Sequence, residues 1–134
     1  MATIFAVTTI EMSREERKNL SDALIQDLGT LYKHAMSCNI AQIPDENCRG
    51  DELYGGAHEQ TTFFVCVPPY ISLEKKRETV KLINDTMVRE VGYRGVMKVV
   101  VLFQYHDDDG VGKDGELFSD ILAKRAAETA SAGK

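Results

Sequence analysis

The sequence predicts an α+β fold in which a β-α-β unit occurs twice and forms a four-stranded mixed sheet carrying two helices on one face. The main observation is an internal repeat at one offset: residues 3–7 match residues 62–66, and residues 13–17 match residues 72–76 (62 − 3 = 72 − 13 = 59). In each copy an apolar strand precedes an amphipathic helix and a second strand follows it. Each second strand then enters an acidic loop that contains glycine.

The first repeat is expected to begin with a strand over residues 3–8, which are mostly β-branched or apolar. Ser13 and Glu16 have the spacing of a capping box, which predicts the start of a helix. A second strand over residues 38–43 would end at Pro44, because proline has no N–H to donate to a neighbouring strand. The helix between them has apolar residues at helical spacing, namely Leu20, Ala23, Leu24, Leu28, Leu31 and Ala35.

The second repeat follows the same plan. Residues 61–67 predict a strand that Pro68 interrupts, and Ser72 is the expected N-cap of a helix that Gly92 follows. Residues 97–103 form a nearly continuous apolar run, which is typical of a central strand covered on both faces. The predicted apolar face of the helix consists of Leu73, Val80, Ile83, Met87 and Val91.

We expect a single domain over residues 1–120, with repeat one at 2–60, repeat two at 61–119 and a C-terminal tail at 121–134. The segment after Ser119 has the composition of a short helix through Glu128 and a frayed end. With both helices on one face of the sheet, the other face stays uncovered. Self-association is expected to cover it, against side chains that include Val99, Val101 and Phe103 or their alternates.

Composition excludes several classes of function. The 134 residues carry a formal net charge of −5, with a sequence pI of about 5.2. No basic stripe is present to neutralise phosphates, so we expect no nucleic-acid partner and no affinity for anionic membranes. The longest apolar run has the length of a strand and is too short to span a bilayer. No signal peptide is recognisable, so a cytoplasmic location is expected.

The cysteines and the acidic loops predict neither a disulfide framework nor a metal site, and no cofactor is expected. Cys38 and Cys66 lie in predicted strands, where they are interpreted as buried apolar residues, while Cys48 lies in a polar loop and could be reactive. The loop over residues 45–56 lacks the ligand spacing of a calcium loop. His106 precedes three aspartates, but a run of carboxylates in a loop is usually solvated.

Four features of the sequence together resemble the tautomerase superfamily. They are the duplicated β-α-β unit, the strand that begins almost at the N-terminus, the capped helix starts and the acidic loop ending in Gly55-Gly56. The two-repeat group that includes cis-3-chloroacrylic acid dehalogenase is the most similar. The resemblance covers residues 2–120. It implies a homotrimer packed around a central axis, an amino-terminal proline that serves as general base or acid on small oxo or enol acids, and arginines that bind the substrate carboxylate.

The sequence departs from that pattern at the decisive positions. Removal of Met1 would leave the terminal amine on Ala2, which is a primary amine and not the secondary amine of proline. Where the superfamily often has arginine, before the helices, this chain has Met12 and Ile71. The histidine of the first helix and the tyrosine of the last strand in the dehalogenase group are also absent; the corresponding positions fall near Leu28 or Gly29 and near Leu102.

Two hypotheses therefore remain. In the first, the protein is a tautomerase-like enzyme without the catalytic proline, with weak or absent keto-enol tautomerase activity on small oxo acids. Its catalytic group would be the Ala2 amine, only if Met1 is removed, or a base relocated elsewhere in the chain. In the second, it is a non-catalytic trimeric module for small-molecule binding or assembly. The polar residues that could build a binding site in either case, each more often an ordinary surface residue, are His34, Arg14, Lys98, Tyr105 and His106.

Overall fold

The computed structural model describes residues 2–32, 36–43, 60–92 and 98–132. His34, Cys48 and the first acidic loop lie outside the described residues. The main elements in chain order are β1 (Ala2–Thr8), α1 (Arg14–Leu28), β2 (Met36–Gln42), β3 (Gln60–Val67), α2 (Leu73–Val91) and β4 (Lys98–Tyr105), followed by a 3₁₀ turn (Asp108–Gly110), β5 (Gly112–Lys113), β6 (Glu116–Leu117) and α3 (Phe118–Ala132).

The main sheet confirms the predicted fold class. Its strand order is β2-β1-β3-β4. Within each repeat the two strands are parallel, because a helix connects them, and the two repeats meet through the antiparallel pair β1 and β3. The sheet is therefore mixed, and the β-α-β unit is present twice.

The core lies between one face of this sheet and the helices α1 and α2. Side chains alternate along β3, with Phe63 and Val65 fully buried between less buried neighbours. Register places Ala6 of β1 opposite Phe63 and Ile4 opposite Val65, so the buried positions share one face. The helices complete the core with Leu20, Leu24, Leu28, Ile83 and Met87.

The predicted helix starts are confirmed. Glu16 donates its N–H to the Ser13 hydroxyl at 3.1 Å, and the Glu16 carboxylate accepts from the Ser13 N–H at 3.1 Å, which is the reciprocal bonding of a capping box. The Ser72 hydroxyl accepts from the Lys75 N–H in the same way. Gly92 ends α2 with φ 81°, a left-handed value that favours glycine.

The predicted buried face of α2 is partly wrong. Leu73 and Val80 are 61% and 41% exposed, whereas Thr79 and Thr86 are fully buried beside Ile83 and Met87. The threonines can be buried because each hydroxyl donates to the carbonyl four residues earlier in the helix, Lys75 for Thr79 and Leu82 for Thr86. Apolar spacing alone therefore does not locate this face.

The prediction of β4 as a central strand is also wrong, because β4 lies at one edge of the sheet in the described residues. Val99, Val101 and Phe103 pack against the core on the helix side, and the register with β3 places Val100 and Leu102 on the open face. The apolar run is thus buried on one side only within the protomer.

The C-terminal region holds more structure than the sequence predicted. The second acidic loop contains a 3₁₀ turn and the β5–β6 hairpin, and α3 continues to Ala132 instead of fraying after Glu128. No residue of α3 is buried. Among the described helices, none combines the length and apolar character that crossing a membrane requires.

Candidate functional site

A cleft of about 290 Å³ lies at the edge of the sheet where β1 begins and where β3 and β4 end. Because Thr3 and Cys66 alternate with the core residues Ile4 and Val65, they point away from α1 and α2. The cleft therefore opens on the sheet face opposite those helices. Its lining consists of Thr3, Cys66, Pro68, His106, Asp108, Gly110, Val111, Gly112 and Phe118.

Backbone hydrogen bonds bring these distant segments together. Thr3 and Cys66 are register partners in the antiparallel pair β1 and β3. The His106 N–H donates to the Val67 carbonyl at 3.0 Å, which extends the pairing of β3 and β4 past the end of β4. His106 is therefore held at the same edge as Thr3, although 103 positions separate them in the sequence (106 − 3 = 103).

The far wall of the cleft is formed by the 3₁₀ turn, the hairpin and the start of α3. The Gly110 N–H donates to the Asp107 carbonyl at 2.8 Å and closes the turn. In the hairpin, Asp114 and Gly115 have φ values of 52° and 84°, the conformation that an Asp-Gly pair favours in a two-residue connection. The Phe118 N–H then donates to the Val111 carbonyl at 2.8 Å and fixes the start of α3.

The thiol in the cleft is not activated. Burial raises the pKa of the Cys66 thiol, which keeps it protonated at neutral pH. Its Sγ donates to the Gln104 Oε1 at 3.8 Å. Burial also raises the pKa of Cys38 to about 11, so neither described cysteine has the character of a nucleophile.

The structure brings some of the candidate residues to the cleft and separates the others. His106 lines it, and the backbone of Ala2 opens β1 directly before Thr3. Lys98 lies at the opposite end of β4 from the cleft. The Tyr105 ring is covered by the Lys76 ammonium group of α2, 4.6 Å from the ring centroid, and so lies on the helix side.

Arg14 belongs to a different depression of about 350 Å³ beside the first turns of α1, which Arg17, Lys18 and Ile40 also line. His34 cannot be placed, because it lies outside the described residues. Among the residues that the structure does describe, no group of three or more His, Cys, Asp or Glu side chains is arranged to hold a metal ion.

Several lining residues were missed from the sequence. Thr3 and Cys66 were treated as ordinary strand residues, since only the β1–β3 register shows that they adjoin the cleft. Asp108 was assigned to a solvated loop. The one local signal that could have predicted this wall is the Asp114-Gly115 pair, which is typical of a tight hairpin.

Solved structures resemble this chain in fold at low sequence identity. The structure described as "F6 fused 4-OT wild type asymmetric trimer" matches with a TM-score of 0.72 and 11% identity over 89% of this chain and 98% of that one. A malonate semialdehyde decarboxylase matches with a TM-score of 0.69 and 17% identity over 91% and 98%. A macrophage migration inhibitory factor-like protein from Entamoeba histolytica matches at 0.66 and 12% over 87% and 97%.

The chain has the fold of these proteins. Coverage is high on both sides of each comparison, so the likeness extends over nearly the whole chain of each protein. No family model matches the sequence, and the search of curated proteins finds no significant match. At these identities the likeness establishes the fold, and the chemistry must be argued from the residues of the cleft.

Proposed function

We propose that this protein belongs to the tautomerase superfamily, lacks its catalytic proline, and has weak or absent keto-enol tautomerase activity on small oxo acids. The observation that carries the proposal is the position of the cleft, which adjoins the start of β1 at Thr3. The resemblance in sequence implies that the superfamily places its terminal amine at this point. The shared fold with a 4-OT and a decarboxylase supports the same assignment.

The candidate catalytic group is the terminal amine of Ala2, if Met1 is removed. Ala2 directly precedes Thr3, which lines the cleft, and this adjacency supports the assignment. A primary α-amine has an ordinary pKa of about 7.7–8.0, and a fraction is therefore neutral and basic at physiological pH. That fraction allows slow proton abstraction next to a carbonyl, which is the basis for expecting weak rather than full activity.

A homotrimer is proposed for the assembly. On the open face, register aligns Phe5, Phe64 and Leu102 in one row across β1, β3 and β4. Phe5 and Leu102 are both 47% exposed in the protomer, which is unfavourable for large apolar side chains placed side by side. Packing of this face against other copies would bury the row. Some of the structurally similar proteins are described as trimers.

The second candidate is a non-catalytic trimeric module for small-molecule binding or assembly. The composition of the cleft favours it for anionic ligands. Its described lining contains no lysine or arginine to hold a substrate carboxylate, and it contains the carboxylate of Asp108. Arg14, the predicted binding arginine, lines the separate depression beside α1.

Intact mass combined with a phenylenolpyruvate ketonisation assay on one preparation tests the proposal. The expected result is a mass without methionine and a low rate that disappears when the terminal amine is acylated. Ala2→Pro is the matched variant, because it restores a secondary amine at the same position, and we expect it to raise the rate.

A retained methionine, or a free Ala2 with no rate above buffer that Ala2→Pro does not increase, would contradict the enzymatic proposal and favour the binding module. Sedimentation of the same preparation measures the assembly. A monomer at micromolar concentration would contradict the trimer.

A further inference from the structure

One carboxylate lies in the described lining of the cleft. Of the described lining residues, Asp108 is the one that carries a carboxylate, and none is a lysine or an arginine. Asp108 is half-buried, and none of the residues that the structure describes donates a hydrogen bond or forms an ion pair with its carboxylate. The flanking Asp107 and Asp109 are exposed and add to the negative potential at the rim.

The size of the cleft makes this charge decisive for a ligand. A volume of 290 Å³ corresponds to a sphere about 8 Å across, so a carboxylate anywhere inside it lies within about 8 Å of Asp108. Two like charges at that separation near a protein surface lower affinity by about 30-fold without salt, and screening at physiological ionic strength reduces this to about tenfold. A protonated terminal amine would offset this repulsion, so the effect of Asp108 is measured above the ordinary pKa of the amine, about 7.7–8.0, where the amine is neutral.

The remaining lining indicates what does fit. Pro68, Val111 and Phe118 supply apolar surface, and Thr3 and His106 supply hydrogen-bonding groups. An uncharged carbonyl compound with an apolar or aromatic body meets both requirements, whereas its carboxylate analogue meets the apolar one and is repelled by Asp108.

We propose that the cleft selects uncharged oxo or enol compounds over the corresponding acids, and that Asp108 determines this selectivity. The inference rests on the proposed function of the cleft as a small-molecule site. It also accounts for weak activity on oxo acids without requiring a defect in the amine itself.

The test compares phenylpyruvate with its methyl ester, two ligands of nearly the same shape that differ by one negative charge. Dissociation constants are measured by calorimetry at about pH 9, where the terminal amine is mostly neutral, with the whole protein in its native assembly, for the unmodified chain, Asp108→Asn and Asp109→Asn. Asp109 is the matched control, because it is the adjacent carboxylate and does not line the cleft.

We expect the unmodified protein to bind the ester about tenfold more tightly than the acid, and Asp108→Asn to remove most of that difference by improving the affinity for the acid. Asp109→Asn should leave the ratio within about twofold, because solvent screens an exposed charge outside the cleft.

Tighter binding of the acid than of the ester by the unmodified protein would overturn the selectivity and leave the proposed small-molecule site standing. An unchanged ratio in Asp108→Asn would overturn the role of that residue. Absence of binding by either ligand would refute both the selectivity and the proposed site. A circular dichroism spectrum matching that of the unmodified protein establishes that each variant is folded.

Discussion

Replacement of the two buried threonines that join β1 to β3 should destabilise the protein unequally. Thr8 and Thr61 are fully buried, and their hydroxyl oxygens lie 2.8 Å apart. The Thr8 hydroxyl also accepts from the Ile10 N–H at 3.1 Å, so it makes two hydrogen bonds where Thr61 makes one among the described residues. Valine has nearly the shape of threonine, and each substitution therefore removes hydrogen bonds with little change in packing.

The magnitudes follow from the groups left without a partner. Thr8→Val leaves the Thr61 hydroxyl and the Ile10 N–H unsatisfied, and each buried unsatisfied group costs about 1–3 kcal/mol, which gives about 2–6 kcal/mol in total. Thr61→Val leaves the Thr8 hydroxyl with the Ile10 N–H as its one remaining partner among the described residues, at a cost of about 1–3 kcal/mol. The double variant leaves only the Ile10 N–H, so it should be more stable than Thr8→Val alone.

These differences in the free energy of unfolding are measured by urea unfolding followed by circular dichroism. All variants are compared at one protein concentration, because assembly would contribute to stability. A double variant less stable than Thr8→Val, or a Thr61→Val cost equal to that of Thr8→Val, would refute the assignment of the hydrogen bonds. Ligand binding is the control. Both threonines lie at the opposite end of β1 and β3 from the cleft, so folded variants should bind the ester unchanged.

Three further predictions concern other parts of the chain. Gly115→Ala should lower stability by about 1 kcal/mol, measured by urea unfolding, because alanine is strained at φ 84° in the hairpin, and it should weaken ester binding by displacing the cleft wall. Hydrogen bonds from Arg89 and Thr86 lower the pKa of Asp27 in the folded protein. The Asp27 carboxylate therefore stabilises the fold fully above its unfolded-state pKa, and this stabilisation is lost as the pH falls through the lower folded-state value. Asp27→Asn should be less stable than the unmodified protein at pH 7, and urea unfolding between pH 7 and pH 2 should show that difference shrinking below about pH 4. In a background with Cys48→Ser and Cys66→Ser, Cys38 should react with a maleimide at pH 8 at least ~100-fold more slowly than free cysteine, because burial raises its pKa to about 11 and little of the thiol is ionised. A rate near that of free cysteine would contradict its burial.

Local sequence signals predicted the fold because each depends on few residues. The Ser13 and Glu16 pair specifies its own hydrogen bonds, and the repeat at 59 residues fixes the order of the elements. The face of α2 depends instead on its neighbours. Thr79 is buried because its hydroxyl oxygen lies 2.7 Å from the Tyr32 hydroxyl of the segment after α1. Thr86 is buried because its one hydroxyl hydrogen is shared between the Asp27 carboxylate at 2.7 Å and the Leu82 carbonyl at 2.8 Å. The spacing of apolar residues along α2 does not predict hydrogen bonds to partners on other segments.

The candidate site was harder to predict because it is assembled by strand register. His106 was among the candidate residues, and the structure places it in the lining of the cleft. Arg14 and Tyr105 were chosen as polar residues near element ends, but the pleat and the helix positions direct them away from the cleft. The residues that do line it occur in four separate segments, which become neighbours only when β1 pairs with β3.

The repeat also relates the two ends of the sheet. The two β-α-β units are related approximately by a two-fold axis between β1 and β3, so the start of β3 is the counterpart of the start of β1. At the counterpart end Ile10 and Met12 are buried, and the Met12 N–H donates to the Gln42 Oε1 at 3.1 Å. At the cleft end the 3₁₀ turn, the hairpin and the start of α3 follow β4 and form one wall of the cleft. Because that wall is built by residues after β4, the β-α-β pattern that the two copies share does not predict it.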